Sequence, residues 1–182
     1  METVEPIRDL GKVECIRGWL LKHAHYRDYL LFVLGTNTGL RVSDLLKLRV
    51  RDIKSDHIYL REKKTGKAKR FKLNPQLVKM IQEYAHGKDE DDYLFPSLRN
   101  PQKPLDRHQA YRIINQAARA CGVTDRIGTH TLRKTFGYHF YKRYGDVAML
   151  QSIFNHSSPS ITLRYIGIKQ DEIDEKTREF FI

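Results

Sequence analysis

His57-Ile58-Tyr59-Leu60-Arg61-Glu62-Lys63-Lys64-Thr65-Gly66-Lys67-Ala68-Lys69-Arg70-Phe71-Lys72-Leu73 is where the chain changes its period. Ile58 and Leu60 alternate with Tyr59 and Arg61, and Phe71 and Leu73 alternate with Arg70 and Lys72. Successive side chains of a strand point to opposite faces, so this pattern makes one apolar face and one wet face. Between the two runs, Lys63-Lys64-Thr65-Gly66 has the make-up of a β-hairpin turn, with Gly66 supplying the positive φ. Elsewhere the regular spacing is helical. The expected fold class is α+β, mainly helical, with a small antiparallel β-sheet.

Working outward from the hairpin, Val13, Ile16, Trp19 and Leu20 recur at helical spacing between Leu10 and about His23. A second helix is expected from about Tyr26 to Asn37. Thr38-Gly39 interrupts it, and a short amphipathic helix carrying Ser43, Leu45, Leu46 and Leu48 follows. Downstream, Asn74-Pro75 is an N-cap followed by proline at the first helical position, opening a helix that runs up to Gly87. Lys88 to Pro104 is acidic and then proline-bearing, and reads as a surface connection. It is not a domain linker, because neither flank has enough apolar residues to fold alone. Further helices are expected at Asp106 to Cys121, Thr129 to Tyr144, Asp146 to Phe154 and Ser158 to about Ile168. The charged tail from Lys169 ends in Phe180-Phe181-Ile182, an apolar terminus that needs a docking surface.

A chain of 182 residues is expected to form a single domain over 1–182, with a core at about 10–168 and a tail at 169–182. Lysines and arginines number 33 against 22 acids, a net charge of +11, which favours a polyanion partner, nucleic acid before an anionic membrane surface. Cys15 and Cys121 fit neither a disulfide framework nor a zinc cluster, so two reduced, buried thiols are expected, in keeping with the cytoplasm. The longest wholly apolar run, Tyr29 to Leu34, is too short to span a bilayer. An N-terminus carrying Glu2 and Glu5 is unlike a signal peptide.

Six scattered residues carry the chemistry: Arg41, Lys64, His130, Arg133, His156 and Tyr165. Together they supply cations for phosphodiester oxygens, proton carriers for a leaving group and a phenol as nucleophile. Clustered carboxylates or Cys/His sets, which a metal would need, are not apparent. Arg41 follows a glycine break at a helix start and reads as an anion ligand or a solvated arginine. Asp44 either orients Arg41 or is an acid suited to a first helical turn. Lys64 sits at the hairpin tip, with Lys63 and Lys67 as competitors for its role. His130 and Arg133 are three apart, which on a helix points imidazole and guanidinium the same way while Leu132 turns inward. His156 falls in a turn, and Tyr165 follows nine residues later among aliphatic residues. Lys63, Lys67, Lys69 and Arg164 are candidate DNA contacts.

From about Leu10 to Ile168 the chain resembles the tyrosine recombinase (phage integrase) family. The resemblance rests on Thr38-Gly39-Leu40-Arg41, Lys64-Thr65-Gly66, Tyr93-Leu94-Phe95-Pro96-Ser97, His130-Thr131-Leu132-Arg133, Asn155-His156-Ser157-Ser158, and Tyr165. It implies the family's catalytic-domain fold and a nucleophile at Tyr165. It further implies clamping arginines at Arg41 and Arg133, a lysine general acid at Lys64, and site histidines at His130 and His156. The implied activity is cutting and rejoining of double-stranded DNA through a 3′-phosphotyrosyl intermediate, with no metal and no cofactor. Where the family usually has glycine before the second histidine this chain has Asn155, which tolerates the same left-handed turn. Family members also carry a helical DNA-binding domain ahead of the catalytic one. Met1 lies almost at the catalytic start, so this chain is expected to lack that domain and to bind DNA weakly, with poor site discrimination.

A free tyrosine, with pKa about 10, is phenolate in only about one molecule in a thousand at pH 7, so the neighbouring cations are expected to lower that pKa. The resemblance also suggests a homo-tetramer on paired DNA sites, held through the C-terminal tail. Competing readings are a helix-turn-helix regulator at Val147 to Tyr165 with Ser160, Thr162 and Arg164 outward, an inactive regulator derived from the family, and a type IB topoisomerase.

Overall fold

The computed structural model describes residues 4–61, 66 and 68–181, the side chain of Lys69 excepted. Helix α1 (Leu10–His23) packs against α2 (Tyr26–Thr38), and a four-residue α3 (Val42–Leu45) follows. Three antiparallel strands come next: β1 (Ile53–Lys54), β2 (His57–Arg61) and β3 (Ala68–Lys72), in that spatial order. Ile58 pairs with Phe71 and Leu60 with Lys69, and Ile58 is fully buried on the apolar face. Strand β1 was not expected. It joins β2 through a two-residue turn at Ser55-Asp56, in which Ser55 takes a φ of 55° without any glycine to announce it. The turn Lys63–Thr65 lies outside the described residues, whereas Gly66 has the positive φ, 68°.

Helix α4 (Pro75–Ala85) starts as its sequence dictates, with the Asn74 side chain accepting from the Leu77 amide at 2.8 Å. Helix α5 (Arg107–Ala120) is capped by Asp106. Helices α6 (Thr131–Tyr144), α7 (Val147–Phe154) and α8 (Pro159–Ile166) follow, α7 and α8 capped by the side chains of Asp146 and Ser158. The chain then departs from expectation. Gly167, at φ 87°, ends α8, and residues taken for a charged tail form helix α9 (Ile168–Glu179). Phe180 and Phe181 beyond it are exposed.

Three apolar clusters hold the molecule together. One lies between α2, α3, the sheet and α4, around Leu34, Leu45, Ile58 and Leu77. Leu94 and Phe95 are fully buried in it, so the Lys88 to Pro104 segment is a surface connection only in part. The Leu94 amide donates to Leu48 O at 2.8 Å, and the Leu105 amide to Phe95 O at 2.7 Å. A second cluster joins α1, α2 and α5 through Ile16, Leu20, Phe32 and Ile114, with Leu132 reaching in from α6. The third, beneath α6, α7 and α8, is built from Phe136, Leu150, Phe154 and Ile166.

The expectation of two buried, reduced thiols is corrected. Cys15 and Cys121 form a disulfide with Cα atoms 5.8 Å apart, and although Cys121 is buried, Cys15 is exposed on α1. The helices that carry them lie side by side, an adjacency across 106 residues that linear spacing cannot reveal. The thiol argument for a reducing compartment falls with it. Among the described residues no helix is long and apolar enough to cross a membrane.

Candidate active site

Two turns and two helix ends converge on one place. Helix α2 stops at Gly39, whose φ is 61° and whose missing Cβ would sit 2.3 Å from a Phe136 ring carbon. Only glycine satisfies both the left-handed turn and that close approach. The reversal seats Leu40 in the core and leaves Arg41, half-buried, as the residue that opens α3. Asp44 is buried one turn later.

Arg133 lies within α6 and is only 3% exposed. Its Nη1 donates to Gly39 O at 2.6 Å and its Nη2 to Phe154 O at 2.8 Å, while the guanidinium stacks 4.1 Å from the Phe154 ring centroid. One side chain thereby ties the Arg41 turn to the end of α7. Its planar, forked donor set makes this possible, and a lysine could not do the same. His130 stands just outside α6 as its N-cap residue, with an exposed outer edge, whereas Arg133 is buried within the helix.

Tyr165 is half-buried on α8, and its hydroxyl lies 3.4 Å from Nδ1 of His130. The His156 ring is 5.2 Å from the Tyr165 ring and the Phe154 ring is 5.6 Å away, both edge-on. Helix α8 reaches this position because Gly137 of α6 carries no side chain. A Cβ there would meet Ile166 at 2.6 Å and Phe154 at 2.7 Å. Asn155 adopts the left-handed conformation, φ 52° and ψ 48°, that the turn before His156 requires. His156 Nδ1 is 3.0 Å from the hydroxyl of Thr162, which itself donates to Ser158 O at 3.3 Å. Thr162 is fully buried, which contradicts the helix-turn-helix reading that turned it outward.

Electrostatics separate the two partners of the 3.4 Å contact. Desolvation pushes the His130 pKa down, and the charges of Arg107, Arg133, Lys134 and Arg41 push the same way. The ring is therefore neutral near pH 7 and can accept a proton. Burial pushes the Tyr165 phenol up, opposed by the charges of Arg133 and Arg41 and by a hydrogen bond to Arg133. The net shift is upward, so the expected lowering of this pKa is corrected: desolvation of the phenolate outweighs the cations.

The structure therefore brings Arg41, His130, Arg133, His156 and Tyr165 together. Lys64, Lys63 and Lys67 lie outside the described residues, as does the side chain of Lys69. Arg164 is exposed on the last turn of α8. Sequence reasoning missed Arg107, whose Nη2 donates to Thr129 Oγ1 at 3.0 Å and whose charge bears on His130, and Lys134, which lies over the Tyr165 ring. Neither stands in a pattern that marks it out.

The phage integrase family model matches residues 14–172. This chain belongs to the phage integrase family. It is a tyrosine-type site-specific recombinase. It is 51% identical over 172 residues to a probable integrase/recombinase, YoeC, of Bacillus subtilis (strain 168), covering 94% of this chain and 93% of the relative. It spans only about half the length of other curated tyrosine recombinases that it matches, 51% and 53%. The fold of the recombinase is shared with the crystal structure of XerA recombinase, at a TM-score of 0.75 and 22% identity over 100% of this chain and 67% of that one. It is also shared with a lambda integrase dimer bound to a COC′ core site, at a TM-score of 0.71 and 19% identity over 91% of this chain and 49% of that one.

Proposed function

We propose that this recombinase cuts and rejoins double-stranded DNA, with Tyr165 as nucleophile and the diester energy stored in a 3′-phosphotyrosyl bond. Neutral His130 takes the phenolic proton as the tyrosine oxygen bonds to phosphorus. Arg41 and Arg133 neutralise the charge that builds on the non-bridging oxygens. The bond from phosphorus to the 5′-oxygen breaks, and Lys64 gives that oxygen a proton so that it leaves as a hydroxyl. His156, held by Thr162, lines the same pocket. Rejoining reverses each step: the 5′-hydroxyl attacks and Tyr165 leaves. No external energy source enters. Lys63, Lys67, Lys69 and Arg164 bind the DNA backbone, which makes affinity fall steeply with salt.

The carrying observation is the Tyr165 hydroxyl beside an uncharged His130, with two guanidinium charges acting on that same hydroxyl. The described residues act as one catalytic domain on a nucleic acid partner. Exposed Phe180 and Phe181 after α9 support assembly as a homo-tetramer on paired sites, each tail docking on a neighbour. Tyr165→Phe is the test. It should bind duplex DNA as the wild type does yet give no covalent adduct on a nicked suicide duplex, and normal adduct yield from it would end the assignment.

A further inference from the structure

Lys134 is 3% exposed, yet its hydrogen bond goes to a carbonyl, Val4 O at 2.7 Å, and not to a carboxylate. Burying an ammonium is costly, so a position that keeps one needs a reason. The reason lies on its other side. The Nζ atom stands 5.3 Å from the centroid of the Tyr165 ring.

We propose that Lys134 is a positioning residue for the nucleophile: anchored on the Val4 carbonyl, its ammonium holds the Tyr165 ring through a cation–π contact that tightens as the phenol becomes phenolate. This rests on the reading of Tyr165 as nucleophile. A neutral phenol attracts the cation through its ring quadrupole alone, whereas a phenolate adds negative charge spread over the ring. The contact is thus stronger in the attacking state than in the resting one, and only such a difference speeds a chemical step.

The anchor is well built. The segment before α1 is fastened along α6 by the Ile7 amide to Thr135 Oγ1, 2.9 Å, and by His139 Nε2 to Ile7 O, 2.9 Å. Arg8 bonds Glu5 and Asp171, both at 2.9 Å, which ties the same segment to α9 just beyond the nucleophile helix. Charged and titratable groups surround the pair. Arg133 and His130 stand on or beside α6, Arg41 opens α3, His156 lies in the turn after α7, and Glu5 and Arg8 belong to the N-terminal segment. Desolvation lowers the Lys134 pKa, Glu5 counters it and Arg8 adds to it.

Lys134→Gln removes the charge and offers the Val4 carbonyl an amide N–H from a side chain one bond shorter. Two readouts are made on the full chain. In single-turnover adduct formation on a nicked suicide duplex, the variant should be roughly ten- to thirtyfold slower at pH 7, the deficit shrinking toward pH 10 as the wild-type ammonium, its pKa lowered by burial, loses its own charge, with DNA affinity unchanged. Lys134→Arg should restore most of the rate. In a DNA-free ultraviolet titration, differenced against Tyr165→Phe in each background, the Tyr165 midpoint should rise in Lys134→Gln. An unmoved midpoint, or a rate loss equal at every pH, overturns the proposal. A shifted midpoint in a protein whose wild type forms no adduct supports the Lys134 contact while removing the nucleophile reading. Should the glutamine variant not fold, Lys134→Met, which matches the stem in volume, is read against the same two outcomes.

Discussion

The cluster between α1, α2 and α5 and the cluster beneath α6, α7 and α8 bury their side chains to different ends. The first is mostly aliphatic, with Ile16, Leu20, Ile114, Ala117 and Ala118 beside Phe32, and the Cys15–Cys121 disulfide closes it. The second interleaves aromatic rings with charge. Arg133 and Lys134 are each only 3% exposed, among Phe136, Phe154 and Tyr165. Apolar burial in the first region stabilises the fold. In the second, burial fixes cations by main-chain carbonyls and surrounds them with rings, where a charge acts more strongly than in water. Such an arrangement costs stability and needs no reorganisation when charge develops on the substrate.

Breaking this contrast in the charged region should have the largest effect. Arg133→Lys keeps the charge but cannot reach Gly39 O, Phe154 O and Tyr165 at once. Single-turnover adduct formation should fall by about 10²–10³. A change of less than threefold would show the fork to be unimportant. The aliphatic region should answer in the opposite currency. Cys15→Ser opens a loop closed across 106 residues and should lower unfolding free energy in urea by about 2–4 kcal/mol while leaving the adduct rate at 25 °C alone.

Gly137→Ala sits on the seam that brings α8 to the site. The added methyl must displace Ile166 or Phe154, at a cost of about 1–3 kcal/mol, and a thermal melt should show it together with a slower cleavage step. An unchanged melt would mean that α6 and α8 approach less closely than 2.6 Å to a Cβ implies. The smallest effect concerns pH. The folded His130 pKa lies below its ordinary value of about 6.5, so the unfolded chain takes the proton first as pH falls. Its influence on stability is nil well above about pH 6.5, and stability is lost as pH drops from there through the folded value. His130→Gln should flatten that part of the curve of Tm against pH, and an unchanged slope would remove His130 as its source.

Much of this was legible in the chain because local chemistry decided it. Asn74-Pro75 starts α4 by capping, the alternation around Ile58 and Phe71 makes strands, and Asn155 takes the left-handed turn that sets up His156. The site residues were legible as types in an order. What they touch was not. Which carbonyls anchor Arg133 depends on where α2 and α7 end, and the direction of the Tyr165 pKa depends on how tightly α8 packs. The disulfide and the Lys134 contact join segments 106 and 31 residues apart, and no periodicity reports such pairs. Strand β1 and helix α9 were hidden for simpler reasons: two residues are too few to show a period, and the charged face of α9 masks its helical one.

The central claim is that the DNA becomes bonded to one particular phenol among 10 tyrosines. Peptide mapping by mass spectrometry of the adduct trapped on a nicked duplex tests it most directly. The nucleotide-bearing peptide should contain Tyr165. A nucleotide on any other residue, or no covalent species under conditions in which the protein binds the duplex, would contradict the account.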